Sequence, residues 1–216
     1  MNELSKSVLF ASLPSFISSL EATMILMVIP LIAKDLSITY VKASTLLSIY
    51  IVIEVLLSIP FSLLAEKVGV KMVIILGTMI MALSSFLIIF SNSFLLIFIL
   101  RIFQGIGASI VLLTSLSYAS LIGSDKERGK MIGLNHTIVS LGYVFGLPLG
   151  GIIAEINWKY LFAITSVLSF ISLFLILSLV GLVMTLWKIK LGKVFYLTSL
   201  SGFLHSITFY TQLQGI

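Results

Sequence analysis

Long apolar runs, each broken by only a few polar side chains, alternate with short polar breaks along the whole chain. The runs fall at about 8–33, 43–64, 71–91, 94–119, 131–154, 159–186 and 194–214. A helix needs roughly 20 mostly apolar residues to cross a bilayer, and each run reaches that length. The pattern therefore predicts an all-α integral membrane protein with six transmembrane helices and a seventh at 194–214. That last run differs from the others in holding His205 and many Ser and Thr residues. Residues 1–186 read as one six-helix unit, and 187–216 as a cytoplasmic linker followed by the seventh span. The first run is too long for a secretory signal, whose apolar core is roughly 7–15 residues. It also carries Glu21 near its middle and no small-x-small cleavage site, so it reads as a spanning helix.

Composition identifies the solvent. Of the 216 residues, 59% are hydrophobic and 10% charged, and the mean hydropathy is +1.23. Soluble domains are typically about 45–50% apolar and about 25% charged. So few charges cannot cover a water-facing surface, whereas lipid can solvate the rest. The formal net charge of +5 does not indicate nucleic acid, because the basic residues sit in short loops between apolar runs. With a cytoplasmic N-terminus, nine of them fall inside: Lys6, Lys67, Lys71, Lys126, Arg128, Lys130, Lys188, Lys190 and Lys193. Only Lys34, Lys42 and Lys159 fall outside. Basic residues concentrate in cytoplasmic loops, so the N-terminus is expected in the cytoplasm of a multi-pass protein of the plasma membrane. A basic patch that binds anionic lipid is the other reading of the same charges.

Three ionisable residues fall deep inside runs: Glu21 in the first, Glu54 in the second and Arg101 in the fourth. A charge at the centre of a spanning helix costs on the order of 2.5–3.5 kcal/mol on insertion scales, so such residues face a bundle interior or a wet cavity. Tyr50, Glu54 and Ser58 are spaced by four and form one polar stripe. Arg101, Gln104, Gly105 and Ala108 form a second stripe, and His136, Ser140 and Tyr143 a weaker third. A carboxyl that alternates between wet and dry surroundings can load and release a proton, which is the chemistry of proton-coupled transport. Spacing alone leaves two readings open for Glu21 and Arg101: a structural ion pair, or proton coupling. Glu54 is read as a cavity residue.

Glycine marks a packing face. Gly142, Gly146 and Gly150 recur every fourth residue, followed by Gly151, and such small-xxx-small spacing lets helices approach closely. Pro148, read as part of that face, removes a backbone donor and can kink the helix. No enzyme site emerges. The chain has no cysteine, its two histidines lie far apart in sequence, and there is no GxxxxGK[ST] phosphate loop. No metal and no cofactor are expected, and any driven transport would draw on an ion gradient, here a proton gradient. The expected partners are the lipid bilayer and a small-molecule substrate, not nucleic acid.

Four local patterns, taken in order, resemble the N-terminal half of a major facilitator superfamily transporter, most closely the drug:proton antiporters with fourteen spans. Leu20-Glu21-Ala22-Thr23 followed by Pro30 resembles the first-helix motif L-D-x-T-x6-P, with Glu for Asp. Tyr50 and Pro60 precede a segment running from Ser62 to Lys71. It resembles the loop G-x-x-x-D-R-x-G-R-K, with Glu66, Lys67, Gly69 and Lys71 fitting and Ser62 and Val70 departing. Arg101, Gln104, Gly105, Gly107 and Ala108 are similar to the fourth-helix motif R-x-x-Q-G-x-G-A. Gly142, Gly146, Pro148, Gly150 and Gly151 resemble the antiporter motif G-x-x-x-G-P-x-x-G-G, with the proline displaced by one position. Glu54 lies outside these patterns.

The resemblance covers about residues 8–186 and implies proton-coupled export of small amphipathic or cationic compounds. Glu21, Arg101 and Glu54 are the coupling candidates, and Gln104 and Gly105 belong to the fourth-helix motif at the cavity. It also implies that six helices are one half of the carrier. The chain is then expected to pair with a second half, itself or a separate chain, or to be a truncated or split product without transport of its own. A facilitator that imports a small metabolite is the further alternative.

Overall fold

The computed structural model describes residues 3–122 and 124–180, apart from the side chains of Glu3, Glu66, Lys67, Leu179 and Val180. The expected seventh span at 194–214, with Lys188, Lys190, Lys193 and His205, lies outside the described residues.

Among the described residues six helices follow one another: α1 (Glu3–Asp35), α2 (Tyr40–Val68), α3 (Val70–Ile89), α4 (Phe94–Leu121), α5 (Asp125–Ala154) and α6 (Lys159–Leu175). A single π-helical turn, Ile176–Val180, continues α6. All six are long and apolar enough to cross a membrane. Four connections among the described helices are short, so neighbours in sequence run antiparallel and the bundle has two ends. One end carries the N-terminus, the α2–α3 junction and the start of α5. The opposite end carries the α1–α2, α3–α4 and α5–α6 connections.

The apolar runs locate the helices, but two of them begin earlier than the runs do. α1 starts at Glu3 rather than near residue 8, and α5 at Asp125 rather than near 131. At α5 the Ser124 backbone N–H donates to the Glu127 carboxylate at 3.3 Å. Such reciprocal contact between the N-cap and the third residue starts a helix whatever its hydropathy. Asp125 and Arg128 then pair across that first turn at 2.8 Å.

Helices α1 and α4 are the most buried. α1 lies mainly against α5, α4 is flanked by α2 and α3, and α6 closes the bundle against α3 and α1. The layering inverts that of a soluble protein. Phe86, Phe103, Val144, Phe145, Phe170 and Phe174 point outward, while serines and threonines crowd the interior. Many of the interior hydroxyls bond within their own helix, as Ser12 does to the Val8 carbonyl and Thr78 to the Ile74 carbonyl, both at 2.7 Å. Small self-satisfied hydroxyls let helices pack closely without burying unpaired polar atoms.

Candidate functional site: a buried ion pair among five helices

All three ionisable residues of the apolar runs are buried: Glu21 is 1%, Glu54 2% and Arg101 0% exposed. Two of them meet. Arg101 Nη1 donates to Glu21 Oε1 at 2.5 Å, joining α4 to α1. The same Nη1 donates to Gln104 Oε1 at 2.9 Å, one turn along α4. Gln104 Nε2 passes the network to Ser85 Oγ on α3 at 2.7 Å. The Ser85 hydroxyl turns back to Glu21 Oε2 at 3.5 Å, so the four side chains close a ring.

Helix α2 supports the cation from another side. Arg101 Nε donates to the Leu46 carbonyl at 3.1 Å. Its guanidinium carbon lies 4.3 Å from the Tyr50 ring centre and 5.9 Å from that of Phe162 on α6. Tyr50 Oη is held by Ser18 Oγ of α1 at 2.8 Å. Thr165 of α6 places its hydroxyl beside the Glu21 carboxylate. A buried charge pair is tolerable only when its remaining donors and acceptors find partners, and helices α1, α2, α3, α4 and α6 all contribute here. One donor is left over: Arg101 Nη2 is buried without a partner among the described residues.

Glu54 stands one turn beyond Tyr50, nearer the N-terminal end of the bundle, outside that ring. Tyr50, Glu54 and Ser58 form one buried stripe on α2. The weaker stripe of α5 divides: Tyr143 is buried, His136 half-buried and Ser140 exposed. Gly105 is a point of contact between α4 and α2, where an added Cβ would lie 2.8 Å from the Tyr50 carbonyl oxygen. Gln104 and Gly105, adjacent in sequence, thus do different things, one in the polar ring and one in helix packing.

The glycine face of α5 lies on α1. A Cβ at Gly142 would meet the Phe16 carbonyl at 2.5 Å, one at Gly146 the Leu20 carbonyl at 2.6 Å, and one at Gly150 the Met24 carbonyl at 2.6 Å. Two ladders with the same four-residue period interlock, and they fix α1 on either side of Glu21. Pro148 and Gly151 depart from the expectation. Pro148 is exposed on the far side of a continuous helix, and a Cβ at Gly151 would touch nothing within 4 Å. Neither can share a face with residues 146 and 150, because a helix turns about 100° per residue.

At the α2–α3 junction, Gly69 has φ +101°. That conformation is open to glycine and strained for other residues. Lys71 follows in the first turn of α3, half-buried. The side chains of Glu66 and Lys67 lie outside the described part of the structure, although their backbone completes α2.

Comparison with known proteins adds the family. The model of the Major Facilitator Superfamily matches residues 11–211. The chain belongs to the Major Facilitator Superfamily. Among its relatives in the superfamily, Riboflavin transporter RibZ of Clostridioides difficile (strain 630) is 32% identical over 161 residues. That match takes in 74% of this chain and 35% of RibZ. Quinolone resistance protein NorA of Staphylococcus aureus (strain Mu50 / ATCC 700699) is 24% identical over 166 residues, 76% of this chain and 42% of NorA. The matched part thus spans well under half the length of these curated relatives. Its six described helices are those of an N-terminal half of the superfamily fold.

Sequence reasoning missed Ser85, Thr165 and Ser18, which complete the surroundings of the ion pair. It also missed Asn135, which forms a second buried cluster with Ser12, Ser15 and Ser115. Serines in an apolar helix carry no signal of their partners, because most bond to their own backbone. Asn135 was findable as an amide within the apolar run of α5.

Proposed function

We propose that this chain is half of a proton-coupled membrane carrier that exports small amphipathic or cationic compounds. One observation carries the reading: a carboxylate and a guanidinium sit fully buried where five helices meet, and both stand in segments that resemble motifs of the drug:proton antiporters. Glu21 is the proton carrier, Arg101 tunes its affinity for the proton, and Glu54 faces the cavity as a residue of substrate preference. Loading Glu21 neutralises one member of the pair and weakens its hold on α4. Such a change in charge can bias a carrier between its two open states. The similarity to a quinolone resistance protein supports a drug-like cargo.

In this reading the N-terminus is cytoplasmic, the membrane is the plasma membrane and the energy source is the proton gradient. Substrate binds at the interface with a second half, since in such folds sites lie near the midplane between repeats. That half is a second copy or a separate chain.

A second reading is uptake of a small metabolite, favoured by the higher identity to a riboflavin transporter. Transport in liposomes containing this chain, with an imposed pH gradient, tests both. The expected result is gradient-dependent movement of a fluorescent lipophilic cation, abolished by Glu21→Gln. Movement unchanged in Glu21→Gln contradicts the coupling role. Movement of riboflavin but not of the cation selects the second reading. No movement from inserted protein shows that a second copy does not complete the carrier.

A further inference from the structure

At the end of the bundle opposite the N-terminus, α2 and α4 start side by side and leave a groove between them. Its volume is about 470 Å³, and it lies open along one side. Thr45, Ile49 and Val52 of α2 form one wall, and Phe94, Leu95 and Phe98 of α4 form the other. Lys42, in the first turn of α2, stands at its mouth. Leu95 is 65% and Val52 48% exposed. The groove therefore opens sideways to the bilayer, whereas Glu21, Arg101 and Glu54 are enclosed in the bundle.

Its depth matches one leaflet. From Lys42 to Val52 the helix rises about 15 Å. One leaflet supplies half of a hydrocarbon core roughly 30 Å thick. With Lys42 at headgroup level, Val52 then lies near the midplane, and the surfaces between them are almost wholly apolar.

Lys42 is held at the mouth. A lysine at a membrane surface ordinarily keeps its ammonium in water and lays only its stem on apolar surface. Here Nζ lies over the Phe94 ring, 4.8 Å from its centre. The Phe94 and Phe98 rings stand 5.9 Å apart along the same wall. The ring face attracts the ammonium and keeps it over the groove. Among the described residues no carboxylate lies within ion-pair distance of Lys42. Two other charged groups at this end are already engaged. Lys159 Nζ donates to Asn92 Oδ1 at 2.6 Å, and the Asp35 carboxylate accepts from Trp158 Nε1 at 2.9 Å.

Charge selects the occupant. A cationic amphiphile, the cargo class proposed above, is repelled at the mouth by Lys42. A zwitterionic phospholipid carries its own cation beside its phosphate. An anionic phospholipid offers a phosphate with no such partner, and a basic residue near the surface attracts it.

We infer that the groove between α2 and α4 binds one anionic phospholipid, with its phosphate on Lys42 and an acyl chain along Ile49, Val52 and Phe98. With the N-terminus cytoplasmic, this lipid belongs to the outer leaflet. Its chain runs beside Phe98, one turn before Arg101, and beside Ile49, next to Tyr50. The lipid thus braces the α2–α4 contact through which the Leu46 carbonyl reaches Arg101. The inference does not depend on the coupling role of Glu21.

The test is native mass spectrometry of the full chain in micelles supplied with phosphatidylglycerol or with phosphatidylcholine of the same chains. One phosphatidylglycerol is expected to be retained, with about fivefold preference over phosphatidylcholine. Lys42→Gln should abolish that preference and Lys42→Arg should keep it. Val52→Trp, which fills the inner end of the groove from an exposed position, should lower retention of both lipids. Lys34→Gln, which removes an exposed charge at the same end but outside the groove, should match wild type. Equal retention of the two lipids by wild type overturns the inference, as does a preference that survives in Lys42→Gln. Equal loss in Lys34→Gln shows attraction to surface charge in general and also overturns it. Retention unchanged in Val52→Trp places the lipid elsewhere, with the same consequence.

Discussion

Arg101 of α4 rests on Tyr50 of α2, with 4.3 Å from the guanidinium carbon to the ring centre. The tyrosine also reaches Ser18 of α1 through its hydroxyl. One side chain thus holds the cation by its face and fixes α1 by its edge. Tyr50→Phe keeps the ring and loses the hydroxyl contact, a cost of about 1 kcal/mol. Tyr50→Leu also loses the cation–π contact, worth roughly 2 kcal/mol when desolvated. Unfolding titrations in mixed micelles should rank wild type above Phe and Phe above Leu. Equal stability of the two variants would show that the ring face contributes nothing.

Removing either member of the ion pair should cost more than removing both. Arg101→Met leaves the Glu21 carboxylate buried without its cation, and breaking a buried pair costs about 3–5 kcal/mol. The double variant Glu21→Gln/Arg101→Met buries no charge and should recover much of that loss. A double-mutant cycle on unfolding free energy checks it, and simple additivity would mean that the pair is not coupled.

Alanine at the glycines of α5 should discriminate by position. At Gly146 and Gly150 the new methyl would push on the Leu20 and Met24 carbonyls, which are backbone and cannot rotate away. Overpacking of this kind costs about 1–3 kcal/mol. At Gly151 the methyl meets nothing, so Gly151→Ala should be neutral or stabilising, as alanine has the higher helix propensity. A destabilised Gly151→Ala would contradict the assigned face.

These glycines also show how far the sequence could be read. Their four-residue period announces a packing face, but nothing in it names α1 as the partner. Reading 146–151 as one motif places Pro148 on that face, whereas a helix spreads its residues around the axis. The six spans were legible because lipid demands about 20 apolar residues from each. The charged first turn of α5 was not, because a capping box rather than hydropathy starts that helix. The burial of Glu21 and Arg101 followed from the cost of charge in lipid. Their meeting did not, since they are 80 residues apart and the bundle alone brings them together.

Gly69 tests the α2–α3 junction. Its φ of +101° leaves room for a methyl but strains any residue that carries one. Gly69→Ala should cost about 1–3 kcal/mol, the penalty for holding a side-chain-bearing residue in a sparsely populated backbone region. Gly133→Ala, in open space on α5, is the control and should not destabilise. Equal stability of Gly69→Ala and wild type would show that the junction adopts another conformation.

In the proposed mechanism Glu21 exchanges its proton for cargo. Proton release on adding a lipophilic cation to the purified chain, in weakly buffered detergent solution, tests it most directly. Free protons are expected to rise, to saturate with cation concentration, and to stay level in Glu21→Gln. Binding of the cation with no proton release, or release that survives unchanged in Glu21→Gln, would contradict it.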